Sequence, residues 1–353
     1  MYTFSAIKGI QANKEYYAAM VPLRILMELF EDHSQIVRPE DRAQRKLNIK
    51  RIPAIKKYIL ENRDSYVFSA LAASIDGHFD FEPISIETTN LGMLKINKDA
   101  TILINDGQHR KAALEEAINE DSTLMNETIT VVFYRDMGLV KSQQMFTDLN
   151  RHAVKTSNSI AELYDSTDNV AELTRMLMKH VSFIDKYTDK EKDNLSKYSA
   201  ALFVFNTFYK ANMRIVGKGN AITEKTRLFI VQYWEQIVDN VLLWKQLELG
   251  EISKIRLRSE YLVCQSVVVE AFGQLGAFLY NNPDISMDSL IGLRNVDWKR
   301  SADVWKNRCV SETGKMIKNE QAVCLTSNAL KTYLGFSLNE DELSKEWLMK
   351  KGE

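Results

Sequence analysis

The distribution of proline limits the fold of this chain more than any other feature of its sequence. Only five prolines occur among 353 residues, and none lies between Ile84 and Asn282. Because proline interrupts helices and central strands, this interval permits long helices. Apolar residues recur there at spacings of three and four over residues 141–150, 159–181, 198–213, 224–248 and 256–281. We therefore predict that the second half of the chain is helical.

The signals for strands lie before residue 136. Short, partly β-branched segments bounded by turn residues occupy positions 65–74, 91–97, 100–106 and 127–135. We therefore predict an α/β domain with basic N-terminal helices over residues 1–155 and a mostly helical region over 156–353. Because no long linker separates them, we expect the helical region to pack on the α/β core.

Charge and cysteine content restrict the partners and the compartment. Forty-six basic residues against 47 acidic ones give a formal net charge of −1, so a nucleic-acid partner must be met by a local basic patch. The three cysteines form no Cys-x-x-Cys pair, which suits a reducing compartment, and Cys264 is expected in the core. The N-terminus lacks a signal-peptide pattern, and the apolar stretch 261–280 contains polar residues. We expect a soluble cytoplasmic protein with no membrane partner.

One short segment concentrates polar side chains where a predicted strand turns into a helix. Asp106 and Gly107 make the turn, and the helix is predicted to begin near Gln108. Backbone N–H groups at a helix start lack intrahelical partners and lie at the positive end of the helix dipole, so such a turn is suited to anions. Arg110 adds a two-pronged donor for phosphate, and His109 can donate to the same anion or shuttle a proton. Asp106 either caps the helix or holds a metal or water beside the phosphate.

Each of these residues also has an ordinary structural interpretation. An Asp-Gly pair before a helix is a common cap and turn, a first-turn arginine is often solvated, and a single histidine is more often structural than catalytic. The presence of Asp106, Gln108, His109 and Arg110 in one segment, at the end of a strand where α/β sheets bind ligands, favours a binding or catalytic role. The segment lacks the further glycines of a dinucleotide loop and the Gly-Lys-Ser/Thr of a P-loop, so neither of those sites is predicted.

A second polar segment begins at the end of the predicted helix 141–150 and continues beyond it. Its polar and charged residues are Asp148, Asn150, Arg151, His152 and Lys155. Such side chains suit phosphate oxygens, as do the hydroxyl groups at 156–159. The alternative is ordinary helix capping, by the asparagine at the end of one helix and by Ser157 or Ser159 at the start of the next. We expect this segment to form the second wall of a pocket with the Asp106–Arg110 turn.

Two clusters of basic residues are candidate DNA contacts. The first lies on a helix predicted over residues 39–50 and just after it, and consists of Arg42, Arg45, Lys46, Lys50 and Arg51. It is either a solvated helix face or a strip that contacts the DNA backbone. The second consists of Lys299, Arg300, Lys306 and Arg308. Trp298 and Trp305, which flank it, are expected to share a helical face and to pack into the core rather than stack on bases.

The segment Asp-Gly-Gln-His-Arg at 106–110, which opens a helix after a strand, resembles the signature of the DGQHR family. The core of that family is similar to the ParB/sulfiredoxin fold, in which the matching helix-start motif handles nucleotide or phosphate groups. Residues 42–77, 143–160 and 296–310 are similar to further blocks of the family. The resemblance therefore implies an α/β ParB/sulfiredoxin-like core with a large, mostly helical C-terminal region.

The resemblance is most specific to the members encoded in bacterial DNA phosphorothioation loci. It implies a DNA-binding protein that represses the modification genes and accompanies the other proteins of the locus, of the DndC, DndD and DndE type. Phosphate or nucleotide groups would contact Gly107, Gln108, His109, Arg110, Asn150 and Arg151. DNA would contact Arg42, Arg45, Lys46, Lys50, Arg51 and Lys155. The oligomeric state is left open, with a homo-oligomer among the possibilities.

The alternative is an enzyme, a nucleotide-dependent DNA nickase or phosphohydrolase. Asp106 would then orient a metal or water, His109 would act as acid or base, and Arg110 would stabilise transition-state charge. Its cofactor would be a nucleotide with Mg²⁺, although no metal-binding motif occurs among the five histidines. A third interpretation is a scaffold whose motif binds a ligand structurally.

Overall fold

A computed structural model describes residues 1–30, 48–135, 156–196, 198–217 and 219–351. The chain forms two compact units, Met1–Val154 and Lys155–Glu353. The described residues contain a seven-stranded sheet and thirteen α-helices, which confirms the predicted mixed α/β class. That the helical region packs on the α/β core stays a prediction.

The sheet belongs to the N-terminal unit. Its strands are β1 (Tyr2–Gln11), β2 (Lys14–Pro22), β3 (Leu71–Asp76), β4 (Phe79–Pro83), β5 (Leu91–Ile96), β6 (Thr101–Asp106) and β7 (Thr128–Arg135). Their spatial order is β4-β5-β1-β2-β7-β3-β6, so β6 forms an edge. All neighbours are antiparallel except β3 and β7, which are parallel.

The helices of this unit cover one face of the sheet. They are α1 (Leu23–Leu29), α2 (Ile52–Glu61) and α3 (Gln108–Glu120), with 3₁₀ turns at Ile49–Arg51 and Ser122–Asn126. Alternate strand residues, such as Val131 and Phe133, point into a core shared with helix residues such as Ile59 and Leu114. The α3 helix is therefore fixed against the sheet, and its first turn lies beside the end of the edge strand β6.

The hairpin of β1 and β2 was missing from the sequence prediction. Its turn is made by Ala12 and Asn13, whose φ angles are 49° and 60°. Tight hairpins of this kind usually contain Asn-Gly or Asp-Gly, and that signal is absent from an Ala-Asn pair. The predicted strand at 65–74 begins later than expected, at Leu71.

The C-terminal unit is helical. Its helices are α4 (Asn158–Tyr164), α5 (Asn169–His180), α6 (Ser182–Tyr187), α7 (Phe205–Val216), α8 (Glu224–Asn240), α9 (Leu242–Glu248), α10 (Lys254–Glu260), α11 (Ser266–Asn281), α12 (Glu320–Tyr333) and α13 (Glu340–Lys351). Short parallel strands β8 (Thr188–Asp189) and β9 (Phe203–Val204) accompany them, as do 3₁₀ helices at Met287–Asn295 and Asp303–Trp305.

Several predicted helices are divided in the structure. The segment 159–181, for example, forms two helices because the Asp168 side chain accepts hydrogen bonds from the backbone N–H groups of Val170 and Ala171 and begins a new helix there. Similar interruptions separate α8 from α9 and α10 from α11. The periodicity therefore predicted helix in these segments but not the points at which each helix is interrupted.

Aromatic residues form the centre of the C-terminal core. Trp298 and Trp305 are 4% and 0% exposed, and their rings stack with centroids 5.6 Å apart, which confirms that they pack into the core. The expected helical face is wrong, because only Asp303–Trp305 is helical there and it is a single 3₁₀ turn. Cys264 is buried, as predicted. Within the described part of the chain, none of the helices has the length and apolarity needed to cross a bilayer.

Candidate functional site

The turn between β6 and α3 is built around a glycine. Gly107 precedes the first residue of α3 with φ 102° and ψ 14°, in the left-handed region. A Cβ atom at this position would lie 2.3 Å from Cδ2 of Leu71, which is fully buried. Both the backbone conformation and the lack of space therefore require glycine, and the chain reverses within one residue.

Arg110 points back into the turn. Its Nη2 donates to Oδ2 of Asp106 at 2.6 Å. Its Nη1 donates to the carbonyl oxygen of Ser69 at 2.6 Å and to that of Ala70 at 3.1 Å, and it also contacts the Ser69 hydroxyl. Only 17% of the side chain is exposed. Arg110 therefore joins the end of β6 to the residues that precede β3, its neighbour in the sheet.

His109 points toward the start of the second helix. Its Nε2 accepts a hydrogen bond from the backbone N–H of Asn48 at 3.0 Å. A nitrogen that accepts a hydrogen bond carries no proton, so this bond uses the tautomer with its proton on Nδ1. The Asn48 side chain in turn accepts from the backbone N–H of Lys50 at 3.2 Å and caps the 3₁₀ turn Ile49–Arg51. His109 is thereby connected to the predicted DNA-binding residues Lys50 and Arg51.

The basic residues at the start of α2 and just before it differ in whether acidic partners neutralise them. Lys56 pairs with Glu120 at 3.1 Å, and Lys57 pairs with Glu61 at 3.4 Å. Lys50 and Arg51 are exposed, and neither forms an ion pair with any residue that the structure describes. The uncompensated positive charge near the turn is therefore concentrated at the start of α2.

A cavity of about 390 Å³ lies in the same unit, and Leu114 of α3 lines it. The polar side chains at this cavity bond mainly to one another. The Tyr66 hydroxyl donates to Glu127, and burial together with this bond raises the pKa of Tyr66 to about 12. Arg63 pairs with Glu127 at 2.8 Å and with Asp121 at 2.9 Å. Because two carboxylates face this one arginine, the local charge is negative, and the cavity is a poorer anion site than the surface at Lys50 and Arg51.

Several predicted site residues lie outside the described residues. They are Arg42, Arg45, Lys46, Asp148, Asn150, Arg151, His152 and Lys155. The pocket expected between the 151–159 segment and the Asp106–Arg110 turn therefore stays a prediction. Ser157 is described, and its hydroxyl accepts from the backbone N–H of Ile160 at 3.1 Å, which is the capping alternative. Ser159 is buried and donates to the carbonyl oxygen of Lys192.

Most of the C-terminal basic cluster is engaged within its own unit. Arg308 contacts Glu346 and the carbonyl oxygen of Leu325, and Lys306 pairs with Asp303 at 2.6 Å. Arg300 donates to the carbonyl oxygen of Gly314 at 2.8 Å. These bonds compensate part of the charge of this cluster, so the described pair Lys50 and Arg51 is the stronger candidate.

The residues that complete the turn were missed by the sequence prediction. Asn48 could have been found, because an asparagine before a short basic run is a typical cap. Ser69 and Ala70 act mainly through their carbonyl oxygens, which every residue has, so no sequence signal identifies them. Among the described residues, no group of three or more His, Cys, Asp or Glu side chains could hold a metal ion.

Comparison with models of protein families shows the family of this chain. A sequence model of the family described as DndB, DNA-sulfur modification-associated, matches residues 4–337, which is most of the chain. No curated protein and no solved structure matches it. The likeness of the α/β core to the ParB/sulfiredoxin fold therefore stays a prediction.

Proposed function

The chain belongs to the DndB family of DNA-sulfur modification-associated proteins, and from this premise we propose that it binds DNA and regulates the modification genes. Membership places the protein in DNA sulfur modification. The regulatory role and the association with other proteins of the locus come from the resemblance of the Asp106–Arg110 segment and its flanking blocks. The contact with DNA is supported by the geometry at the turn.

The observation that carries the DNA-binding proposal is the hydrogen bond between His109 and Asn48. It ties the turn to the segment that presents Lys50 and Arg51. A protein of net charge −1 needs a local concentration of uncompensated positive charge to attract a polyanion. These two residues supply it, and the positive end of the α3 dipole adds to the same potential.

In this proposal the turn residues have different roles from Lys50 and Arg51, which we call the basic pair. Gly107 and Arg110 are positioning residues that shape the end of β6, and His109 positions the start of α2. Lys50 and Arg51 contact phosphate oxygens. Such contacts position a protein on the duplex without reading its sequence, so base recognition requires other residues.

The salt dependence of DNA binding tests the role of the basic pair. We expect the variant Lys50→Ala/Arg51→Ala to weaken binding to all DNA sequences alike. The slope of log K against log salt concentration should fall by about 1.8, since each phosphate contact contributes about 0.9. Fluorescence anisotropy with a labelled duplex at several salt concentrations measures this slope.

The control is Lys56→Ala/Lys57→Ala. It removes the same two positive charges from the same helix region, but from residues already paired with carboxylates. Its slope should change by less than half as much as that of the test variant. Equal slopes for the two variants would assign the effect to net charge alone, and the absence of DNA binding by the unaltered protein would overturn the proposal.

A further inference from the structure

The last described helix of the C-terminal unit, α13, buries charged side chains and exposes apolar ones. Glu342 and Glu346 face inward and are 5% and 9% exposed, whereas Leu343 and Trp347 are each 54% exposed. A helix that packs on a core normally buries its apolar face and exposes its charges. The outward face of α13 therefore needs its own explanation.

Specific polar contacts fix α13 in this orientation. Lys331 of α12, which is itself buried, donates to Glu342 at 2.6 Å. Asn328 donates to Glu346 at 3.1 Å, and Arg308 contacts the same carboxylate. Because a buried carboxylate is stable only with such partners, rotating the helix to bury Leu343 and Trp347 would leave these groups unpaired. The apolar residues are consequently held at the surface.

The outward residues form a regular stripe. Glu340, Leu343, Trp347 and Lys350 follow one another at spacings of three, four and three, and all four are exposed. This spacing is the seam of a two-helix coiled coil. The stripe is acidic at one end and basic at the other, with two apolar residues between them. The Nζ atom of Lys351 lies 3.8 Å from the Trp347 ring centroid and adds to the basic end.

We infer that this stripe binds the same stripe of a second copy of the chain, with the two α13 helices antiparallel. A two-fold axis at Lys345 would place Leu343 of one copy against Trp347 of the other. The same axis places Glu340 opposite Lys350 at both ends, so the contact is self-complementary in charge. A parallel pair would set Glu340 against Glu340 and Lys350 against Lys350, which disfavours that arrangement.

The contact surface between the two α13 helices is small, so we expect the dimer to be weak. A helix of 12 residues buries less than the roughly 800 Å² per partner of a standard stable interface. We therefore expect a dimer with a dissociation constant in the micromolar range. This inference is independent of the DNA-binding proposal.

Sedimentation velocity of the full chain from about 1 to about 200 µM tests the inference. The unaltered protein should change from monomer to dimer across this range, and Trp347→Glu should raise the dissociation constant at least tenfold. The matched control is Leu249→Glu, which introduces the same charge at an exposed apolar residue of the same unit, just after α9 and outside the stripe. It should leave the dissociation constant within about twofold.

Charge exchange tests the antiparallel arrangement. Glu340→Lys and Lys350→Glu should each weaken the dimer, because each puts like charges opposite one another, and the combination should restore it. Both exchanges oppose the dipole of α13, so circular dichroism is used to check that the helix content of each variant is retained. The inference is overturned if the unaltered protein stays monomeric at the highest concentration, if Trp347→Glu dimerises normally, or if the combined exchange fails to restore the dimer.

Discussion

Replacing Gly107 with alanine is expected to destabilise the N-terminal unit by about 3 kcal/mol or more. Two effects add at this position. The φ angle of 102° strains any residue with a Cβ atom, and that atom would overlap Cδ2 of Leu71, whose side chain is fully buried. Relief of the overlap requires the Leu71 side chain to repack within the core or the turn to shift.

Hydrogen exchange measured by mass spectrometry should show this loss as faster exchange in β6 and α3. All five tryptophans lie in the C-terminal unit, so their fluorescence reports separately on the folding of that unit. The control is Gly314→Ala, where φ is 75° but no atom lies within 4 Å of the added Cβ. It should cost only about 1 kcal/mol in its own unit. A similar small cost at Gly107 would show that the turn adjusts freely.

The variant Arg110→Ala is expected to destabilise the N-terminal unit by about 1–3 kcal/mol, because Arg110 is largely buried but Asp106 is 45% exposed. It leaves the Asp106 carboxylate without its partner and removes the donor from the carbonyl oxygens of Ser69 and Ala70. Arg110→Lys should recover part of the loss, because it keeps the charge but cannot reach both groups with a planar fork. Hydrogen exchange of β3 and β6 measures the change.

A surface arginine provides the comparison. Arg256 pairs with Glu260 one turn away at 3.0 Å, with both side chains more than half exposed. Its replacement by alanine should cost no more than about 0.5 kcal/mol. If Arg110→Ala were equally mild in its effect on stability but abolished binding of DNA or of a nucleotide, Arg110 would be a ligand contact rather than a positioning residue.

Local sequence signals located the turn but not the direction of its side chains. The strand ending at Asp106 and the helix beginning at Gln108 follow from an apolar run, an Asp-Gly pair and helical periodicity. The carbonyl groups that accept from Arg110 lie 40 and 41 residues earlier in the chain, and Asn48, which donates to His109, lies 61 residues earlier. Which way these side chains point depends on the order of strands in the sheet, and local pattern does not contain that order.

The same limit applies to the basic residues. Their positions are evident in the sequence, but whether each charge is compensated depends on which helix packs beside it. Lys56 is neutralised by Glu120 because α2 packs against α3, whereas Lys50 and Arg51 precede that contact. In α13, likewise, only the buried partner Lys331 explains why a glutamate faces inward and a tryptophan outward.

A double-mutant cycle for DNA affinity tests most directly whether the turn acts on DNA through Lys50 and Arg51. His109→Ala removes the acceptor that anchors Asn48. In the unaltered protein we expect it to weaken DNA binding about three- to tenfold, because Lys50 and Arg51 are no longer held in position. In the Lys50→Ala/Arg51→Ala background it should have no further effect. A loss by the same factor in both backgrounds would contradict this result and show that His109 acts on the ligand itself.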